Sequence, residues 1–163
     1  KEMPSGPILY MDLDIVILSN FDEEISAMLQ QNGKICCVSD AISWMGVKFS
    51  SSLMLFESGS LNHIFDRFTE EEADINERAG GDQVWIGPQL KDVYYVDEKF
   101  PNLKKNLKFH LASRDGNNLT LPLKVSEDVK LVDCGGRPKP HELGMIPYIK
   151  ANWHDIPTQL AVS

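Results

Sequence analysis

The first apolar stretch of the chain, residues 8–18, lacks the alternation of polar and apolar side chains that marks a half-exposed strand. Residues 8–11 (ILYM) and 15–18 (IVIL) are aliphatic or aromatic throughout. Such runs are typical of a strand that is covered on both faces, as in the sheet of an α/β protein. We therefore expect a central strand here, although it carries two carboxylates, Asp12 and Asp14.

Three later stretches have the apolar spacing or the start signals of helices. The first is predicted to begin at a capping box made of Asn20 and Glu23. Its apolar side would consist of Phe21, Ile25, Met28 and Leu29. The second follows Ser60 as a cap, and its apolar residues lie at offsets of three, four and seven. These residues are Leu61, Ile64, Phe65 and Phe68. A third helix is predicted over residues 82–90.

The remaining apolar runs are short and predict strands. Residues 34–38 (KICCV) and 52–57 (SLMLFE) are two of them. Residues 92–133 contain the runs VYYV, LKFHL and VKLVD between turn residues, which favours strands and loops over helix. The pattern as a whole predicts an α/β protein with a mixed central sheet flanked by helices, in a single domain over residues 1–163.

Composition restricts the class of protein. The chain has 163 residues, of which 42% are hydrophobic and 25% charged, and no apolar run is long enough to span a membrane. A formal net charge of −8 would repel a phosphate backbone, so we expect no nucleic-acid partner. The three cysteines, Cys36, Cys37 and Cys134, form no CxxC pair and are expected to be reduced and mostly buried, as in a cytoplasmic protein.

Asp12 and Asp14 are the strongest chemical signal in the sequence. A buried carboxylate is costly unless a cation or hydrogen bonds compensate its charge, so two at the end of a strand predict a positively charged partner. Mg²⁺ and Mn²⁺ prefer carboxylate oxygens and bridge them to substrate phosphates. The alternative is that Asp14 caps a turn while Asp12 points to solvent.

One enzyme class that places such a pair at a strand end is the haloacid dehalogenase phosphatases. The string DLDIV, residues 12–16, matches their D-x-D-x-[TV] motif, with Asp12 as nucleophile and Asp14 as acid/base. Their second acidic motif, often G-D-x-x-x-D, is incomplete, since Gly81-Asp82 is followed by Ile86 where an Asp is required.

Four blocks taken together resemble the bacterial and viral glycosyltransferases of the GT-A fold. They are YMDLDIVIL, FSSSLMLFESGSLNHIFDRF, GGDQVWI and CGGRPKPHE, and they occur in the order that those enzymes have. The resemblance covers about residues 8–142. It implies the C-terminal portion of a GT-A fold and a transfer of sugar from a nucleotide-diphosphate donor to a glycan or other hydroxyl acceptor.

The resemblance also implies roles for particular residues. Asp12 and Asp14 would hold Mn²⁺ or Mg²⁺ against the diphosphate of the donor. Asp82 and Gln83 match a pair that lies beside the donor sugar and acts in catalysis. The alternative for Asp82 is that it caps the following helix.

Two further segments are implied to bind the donor or the acceptor. Ser50 and Ser51, expected just before a strand, match a stretch in which Ser50 replaces the usual Asn. Gly136 and Lys139 match a late loop that contacts the diphosphate. Gly135 replaces the His that serves as a metal ligand there, unless His141 or water fills its place. The alternative for this loop is a surface turn stiffened by prolines.

Enzymes of this kind have two further β-α units before the strand with the acidic pair, and only seven residues precede it here. The resemblance therefore implies the C-terminal piece of a longer protein. A strand that has lost neighbours would leave a sheet edge open to pairing, so we expect a possible homo-oligomer. The missing half, with Gly135 and Ser50, also favours a non-catalytic sugar- or protein-binding remnant as a third hypothesis.

Overall fold

A computed structural model describes residues 5–40, 46–70 and 81–153 and has a mixed α/β architecture. Its nine strands are β1 (Pro7–Met11), β2 (Ile15–Ile17), β3 (Ile35–Ser39), β4 (Phe49–Glu57), β5 (Val93–Tyr95), β6 (Lys104–Asn106), β7 (Ser113–Asp115), β8 (Asn118–Thr120) and β9 (Leu131–Asp133). The α-helices of the described ranges are α1 (Asp22–Leu29), α2 (Asn62–Glu70), α3 (Gly81–Ile86), α4 (Val96–Lys99) and α5 (Pro147–Asn152).

The backbone contacts divide the chain into two compact units. Unit 1 holds the described residues up to Asp12 and those between Phe21 and Pro101. Unit 2 holds Leu13–Asn20 and the described residues from Asn102 onward. The prediction of a single domain over residues 1–163 stays a prediction, since two contact-defined units can belong to one domain or to two.

The first apolar stretch forms two strands in different sheets, so the expectation of one central strand is wrong. β1 lies at the edge of a four-stranded sheet of order β1-β4-β3-β5, where it pairs antiparallel with β4. β2 lies in a three-stranded sheet of order β2-β9-β6. Leu9 and Tyr10 of β1 are 40% and 45% exposed, which is the physical consequence of its edge position.

The core of unit 1 lies on the strands next to β1. β4 pairs antiparallel with both β1 and β3, so it has a neighbour on each side, and it is buried over most of its length. β3 also pairs parallel with β5. Apolar residues from β3 and β4 form one cluster: Ile35, Cys37, Phe49 and Met54. The predicted strands at 34–38 and 52–57 are therefore present, but the second begins three residues earlier than expected.

The helices α1 and α2 of unit 1 lie near their predicted positions, but the sides that they bury differ from the predicted apolar sides. α1 begins after Phe21, whose side chain makes no capping hydrogen bond, so the expected capping box at Asn20 and Glu23 is wrong. Leu29 is 46% exposed while Ala27 is buried, which rotates the packed side of the helix away from the predicted one. In α2, Ile64 is buried but Phe65 is 67% exposed.

Unit 2 is built around a smaller sheet. β9 pairs antiparallel with β2 and parallel with β6. Its apolar core includes Val16, Leu107, Val132, Cys134 and Ile149. The run LKFHL, expected as a strand, forms a short π-helix, Leu107–Leu111, while VKLVD ends in β9 as expected.

The cysteines and the helices bear on two expectations drawn from composition. None of the three cysteines, all of which lie in the described residues, is in a disulfide, and all three are buried, as expected. Across residues 5–40, 46–70 and 81–153, none of the helices combines the length and the apolar character needed to cross a bilayer.

Candidate functional site

The predicted site residues fall into two groups. Asp14, Gly136 and Lys139 belong to unit 2, whereas Asp12, the serines of β4 and the Asp82-Gln83 pair belong to unit 1. Each group is described within its own unit.

Within unit 2 the structure brings Asp14 and Lys139 together. The Lys139 ammonium donates a hydrogen bond to Asp14 Oδ2 at 2.6 Å, although 125 positions separate the two residues in the sequence. The Asp14 side chain is 16% exposed and that of Lys139 is 40% exposed. The Cys134 amide also donates to the Asp14 carbonyl at 3.0 Å, which holds this backbone next to the end of β9. The first acidic motif and the late glycine loop are thus neighbours in space.

The segment 134–139, which we call the glycine loop, is fixed by the residues that follow it. Glu142 accepts a hydrogen bond from the Lys139 amide at 2.6 Å and forms an ion pair with Arg137 at 3.2 Å. The hydrogen bond from the Lys139 amide is the main reason that the pKa of the Glu142 carboxyl lies below its ordinary value. The same hydrogen bond keeps the backbone of Lys139 in place.

A buried ion pair lies beneath the glycine loop. Lys104 of β6 donates to Asp133 Oδ2 of β9 at 3.0 Å, and their side chains are only 4% and 10% exposed. The other oxygen, Asp133 Oδ1, accepts the Gly135 amide at 2.7 Å. Asp133 is thus compensated on both oxygens, and it sets where the glycine loop leaves the sheet.

Gly135 occupies a position with little room for a side chain. A Cβ atom there would lie 3.0 Å from Asp133 Oδ1, which is tighter than most real contacts. The histidine that the resemblance implies at position 135 would therefore need Asp133 to move. His141, considered as its replacement, is exposed in the short 3-10 helix Pro140–Leu143.

A second lysine contacts the glycine loop from the π-helix. Lys108 Nζ donates to the Gly135 carbonyl, and a Cβ atom at Gly136 would lie 3.0 Å from the same Nζ. Gly136 also has φ +75°, a conformation that favours glycine. The backbone angle therefore favours glycine at position 136, and a side chain there would also require the flexible end of Lys108 to shift.

The π-helix that carries Lys108 is fixed at its start by Asn106. The Asn106 side-chain oxygen accepts the amides of Lys108 and Phe109 at 3.0 and 3.2 Å. Asn106 is 9% exposed. Because β6 and β9 are parallel, their carboxyl ends emerge at the same sheet edge, which puts the π-helix beside the glycine loop. Single π turns recur at functional sites in proteins.

Cys134 lies among these charges and is chemically quiet. The pKa of its thiol is raised to about 12, mainly by burial; the charges of Asp133 and Asp14 contribute to this rise, and those of Lys108 and Lys139 oppose it. At neutral pH the thiol keeps its proton, so it is a packing residue and no nucleophile.

Sequence reasoning missed Asp133, Lys104, Lys108 and Asn106. The sequence did contain an indication of Asp133, because this residue comes at the end of an apolar run, as Asp12 does in the first apolar stretch. The lysines carried none, since their role depends on the parallel pairing of β6 and β9.

In unit 1 the serines lie inside a strand, so the expectation that Ser50 and Ser51 precede it is wrong. Ser50, Ser51 and Ser52 are buried in β4, at 2%, 4% and 4% exposure. The hydroxyls of Ser50 and Ser52 lie 2.9 Å apart and hydrogen-bond to each other. The Ser50 hydroxyl is therefore used in the fold.

The remaining predicted residues of unit 1 lie near element ends. Tyr10 donates its hydroxyl to Asp12 Oδ1 at 2.8 Å, and the Asp12 amide continues the ladder to the Ser52 carbonyl. Asp82 is exposed in the first turn of α3, where a carboxylate is favoured by the helix dipole. It follows Gly81, the first residue of α3 that the structure describes, and its alternative role as a cap of this helix stays a prediction.

The donor atoms can be tested against the metal that the resemblance implies. In the part of the chain that is described, no three His, Cys, Asp or Glu side chains are grouped to hold a metal ion. Mg²⁺, however, is usually held by one or two carboxylates together with waters and substrate phosphates rather than by a cage of protein ligands. Within unit 2, the carboxylate oxygens of Asp14 have the right chemistry for such an ion.

Comparisons with protein families, with curated proteins and with solved structures returned no match for this chain.

Proposed function

We propose that the protein is a metal-dependent glycosyltransferase, or the catalytic part of one, related to the GT-A enzymes. It would transfer a sugar from a nucleotide diphosphate to a glycan or other hydroxyl acceptor. The observation that carries the proposal is the 2.6 Å ion pair between Asp14 and Lys139. Two motifs that the resemblance assigns to one pyrophosphate are separated by most of the chain, yet their side chains touch.

The chemistry proposed for unit 2 follows from charge. Asp14 would hold Mn²⁺ or Mg²⁺. The ion would supply Lewis acidity to the departing diphosphate. Lys139 would give one ammonium to the same diphosphate, and Gly136, which has no side chain, allows a phosphate to approach the backbone closely.

Roles for unit 1 are proposed on the resemblance and on residue chemistry. Asp82 and Gln83 would flank the transferred sugar, orient its hydroxyls and stabilise positive charge at the reacting carbon. Ser50 and Ser51 would act at the donor or acceptor side. Their burial in β4 supports an indirect contribution, through the shape of the strand, rather than direct contact with a sugar.

The test is calorimetry of the whole chain with Mn²⁺ and a panel of UDP, GDP and CDP sugars. We expect at least one sugar nucleotide to bind, and we expect this binding to require Mn²⁺. The absence of heat across the panel would contradict the proposal and would favour a non-catalytic remnant. A fluoride or phosphate analogue trapped on Asp12 would instead favour the phosphatase of the haloacid dehalogenase class.

The proposal extends to assembly and location. β1 is an edge strand with Leu9 and Tyr10 partly exposed, which supports a homo-oligomer formed by strand pairing. Light scattering at increasing concentration should show a rising mass, and a constant monomer mass would contradict it. Three buried cysteines, none of them in a disulfide, support a cytoplasmic location.

A further inference from the structure

Lys108 has a feature that the predicted site did not include. Its ammonium donates to an uncharged carbonyl, that of Gly135, and not to a carboxylate among the residues that the structure describes. Lys104 and Lys139 of the same unit differ from Lys108 in this respect, since Lys104 is paired with Asp133 and Lys139 with Asp14. Lys108 therefore brings a positive charge to the glycine loop that the ion pairs of unit 2 leave unbalanced.

The position of Lys108 is built into the fold. Its backbone amide is held by the buried Asn106 at the start of the π-helix, and its Nζ contacts the loop at Gly135 and at the open side of Gly136. Gly136 is exposed and Lys108 is half-buried, so an anion can reach both. An ammonium with three N–H donors that gives one to a carbonyl keeps donors for a ligand.

Lys108 and Lys139 act on the same buried group. The chain has a net charge of −8, yet the charges of both lysines lower the pKa of the Cys134 thiol, while those of Asp133 and Asp14 raise it. A partly desolvated ammonium interacts with a phosphate more strongly than an exposed one does.

We propose that Lys108 is a phosphate-binding residue that forms, with Lys139 and the exposed backbone of Gly136, a two-lysine site for the diphosphate of the nucleotide-sugar donor. This inference rests on the proposed function for the identity of the ligand, but the anion site itself does not. The Gly135 carbonyl would hold the Lys108 side chain in position before the ligand binds, which lowers the ordering cost of binding.

The experiment is calorimetric titration of the whole chain with inorganic pyrophosphate and, separately, with UDP, GDP and CDP sugars in the presence of Mn²⁺. The variants are Lys108→Met, which removes the charge, and Lys108→Arg, which keeps it. Lys124→Met, at an exposed lysine of the same unit, is the matched control. Each titration is repeated at two ionic strengths.

We expect Lys108→Met to weaken pyrophosphate binding by roughly tenfold or more, because a hydrogen bond between charged groups contributes about that much. Lys108→Arg should retain most of the affinity, and Lys124→Met should change nothing. The salt dependence of binding should be shallower in Lys108→Met than in the wild type, which a merely structural role would not produce.

The outcomes separate this inference from the proposed function. If sugar nucleotides bind and Lys108→Met binds them and pyrophosphate as the wild type does, the inference fails and the transferase proposal stands. If pyrophosphate binds through Lys108 and no sugar nucleotide binds, the anion site stands and the transferase proposal fails. Pyrophosphate that does not bind the wild type overturns the inference.

A measurement on the wild type covers the case in which Lys108→Met does not fold. Acetylation of individual lysines, followed by mass spectrometry, should show that pyrophosphate protects Lys108 and leaves Lys124 unprotected. Equal acetylation of Lys108 with and without pyrophosphate would contradict the site.

Discussion

Strand β4 of unit 1 and the strand pair β6–β9 of unit 2 both bury polar side chains, but they satisfy them differently. β4 buries three neutral serines, two of which bond to each other. β6 and β9 bury a lysine and an aspartate that form an ion pair beneath a loop. Neutral hydroxyls cost little to bury when paired, whereas opposite charges are costly unless every donor and acceptor is used. The comparison indicates that the buried charges of β6 and β9 serve to hold the glycine loop in place.

The largest effect is expected from breaking the buried pair in unit 2. Lys104→Met leaves Asp133 buried without its cation and should lower the free energy of unfolding by about 3–5 kcal/mol. Lys48→Met in unit 1 breaks an exposed pair with Glu98 and should cost less than about 1 kcal/mol. Urea unfolding of both variants measures the difference. Equal losses would show that the pair of unit 2 has no special role.

Two glycines with almost the same backbone angle sharpen the comparison. Gly136 in unit 2 has φ +75° and Gly33 in unit 1 has φ +74°. A Cβ atom added at Gly136 would lie 3.0 Å from Lys108 Nζ, whereas one added at Gly33 would have no atom within 4 Å. Each change to Ala should cost about 1–2 kcal/mol through the left-handed conformation. Only Gly136→Ala should also weaken pyrophosphate binding, because Lys108 must move. The same weakening in Gly33→Ala would indicate a general loss of structure.

A smaller effect is expected from the serines of β4. Ser50→Ala removes the hydroxyl that bonds to Ser52 and should lower the free energy of unfolding by about 1 kcal/mol. It should leave pyrophosphate binding unchanged, in contrast to the variants of the glycine loop. Thermal unfolding together with the pyrophosphate titration provides both readouts, and a loss of pyrophosphate binding would contradict the separation of roles.

At neutral pH the smallest effect is expected from the buried thiols, and it grows only as the pH becomes alkaline. Burial raises the pKa of Cys134 from 9.0 to about 12 and that of Cys36 from 9.0 to about 11. Between pH 9 and these values the folded state holds protons that the unfolded state releases, so stability should fall as pH rises. Cys134→Ala should flatten this fall up to about pH 12 and Cys36→Ala up to about pH 11. Urea midpoints of reduced protein across this range measure the slopes, and unchanged slopes would contradict the burial of the thiols.

Some of the fold could be predicted because local pattern decides it. In the run KICCV the residues after Lys34 are apolar, with β-branched Ile35 and Val38, and the run forms β3 within one residue of the prediction. The run LKFHL looks equally suited to a strand, but Asn106 accepts two amides at its start and stabilises a π turn. An asparagine before an apolar run carries that signal only when its side chain is known to turn inward.

The break at Asp12-Leu13-Asp14 could not be predicted from the apolar pattern. Strands β1 and β2 are both apolar, and their separation depends on partners far along the chain, β4 for one and β9 for the other. Leu13 is 92% exposed, whereas a single continuous strand covered on both faces would have buried it. The pairing of Asp14 with Lys139 was reachable from motif resemblance, whereas Lys108 and Asp133 required the register of β6 with β9.

The most direct test of the central claim is the release of sugar from a nucleotide sugar, measured with Mn²⁺ for the wild type, Asp14→Asn and the control Asp115→Asn, an exposed residue of β7. The account predicts that Asp14→Asn loses metal-dependent turnover while Asp115→Asn keeps it. Turnover by Asp14→Asn at the rate of the wild type would contradict the account.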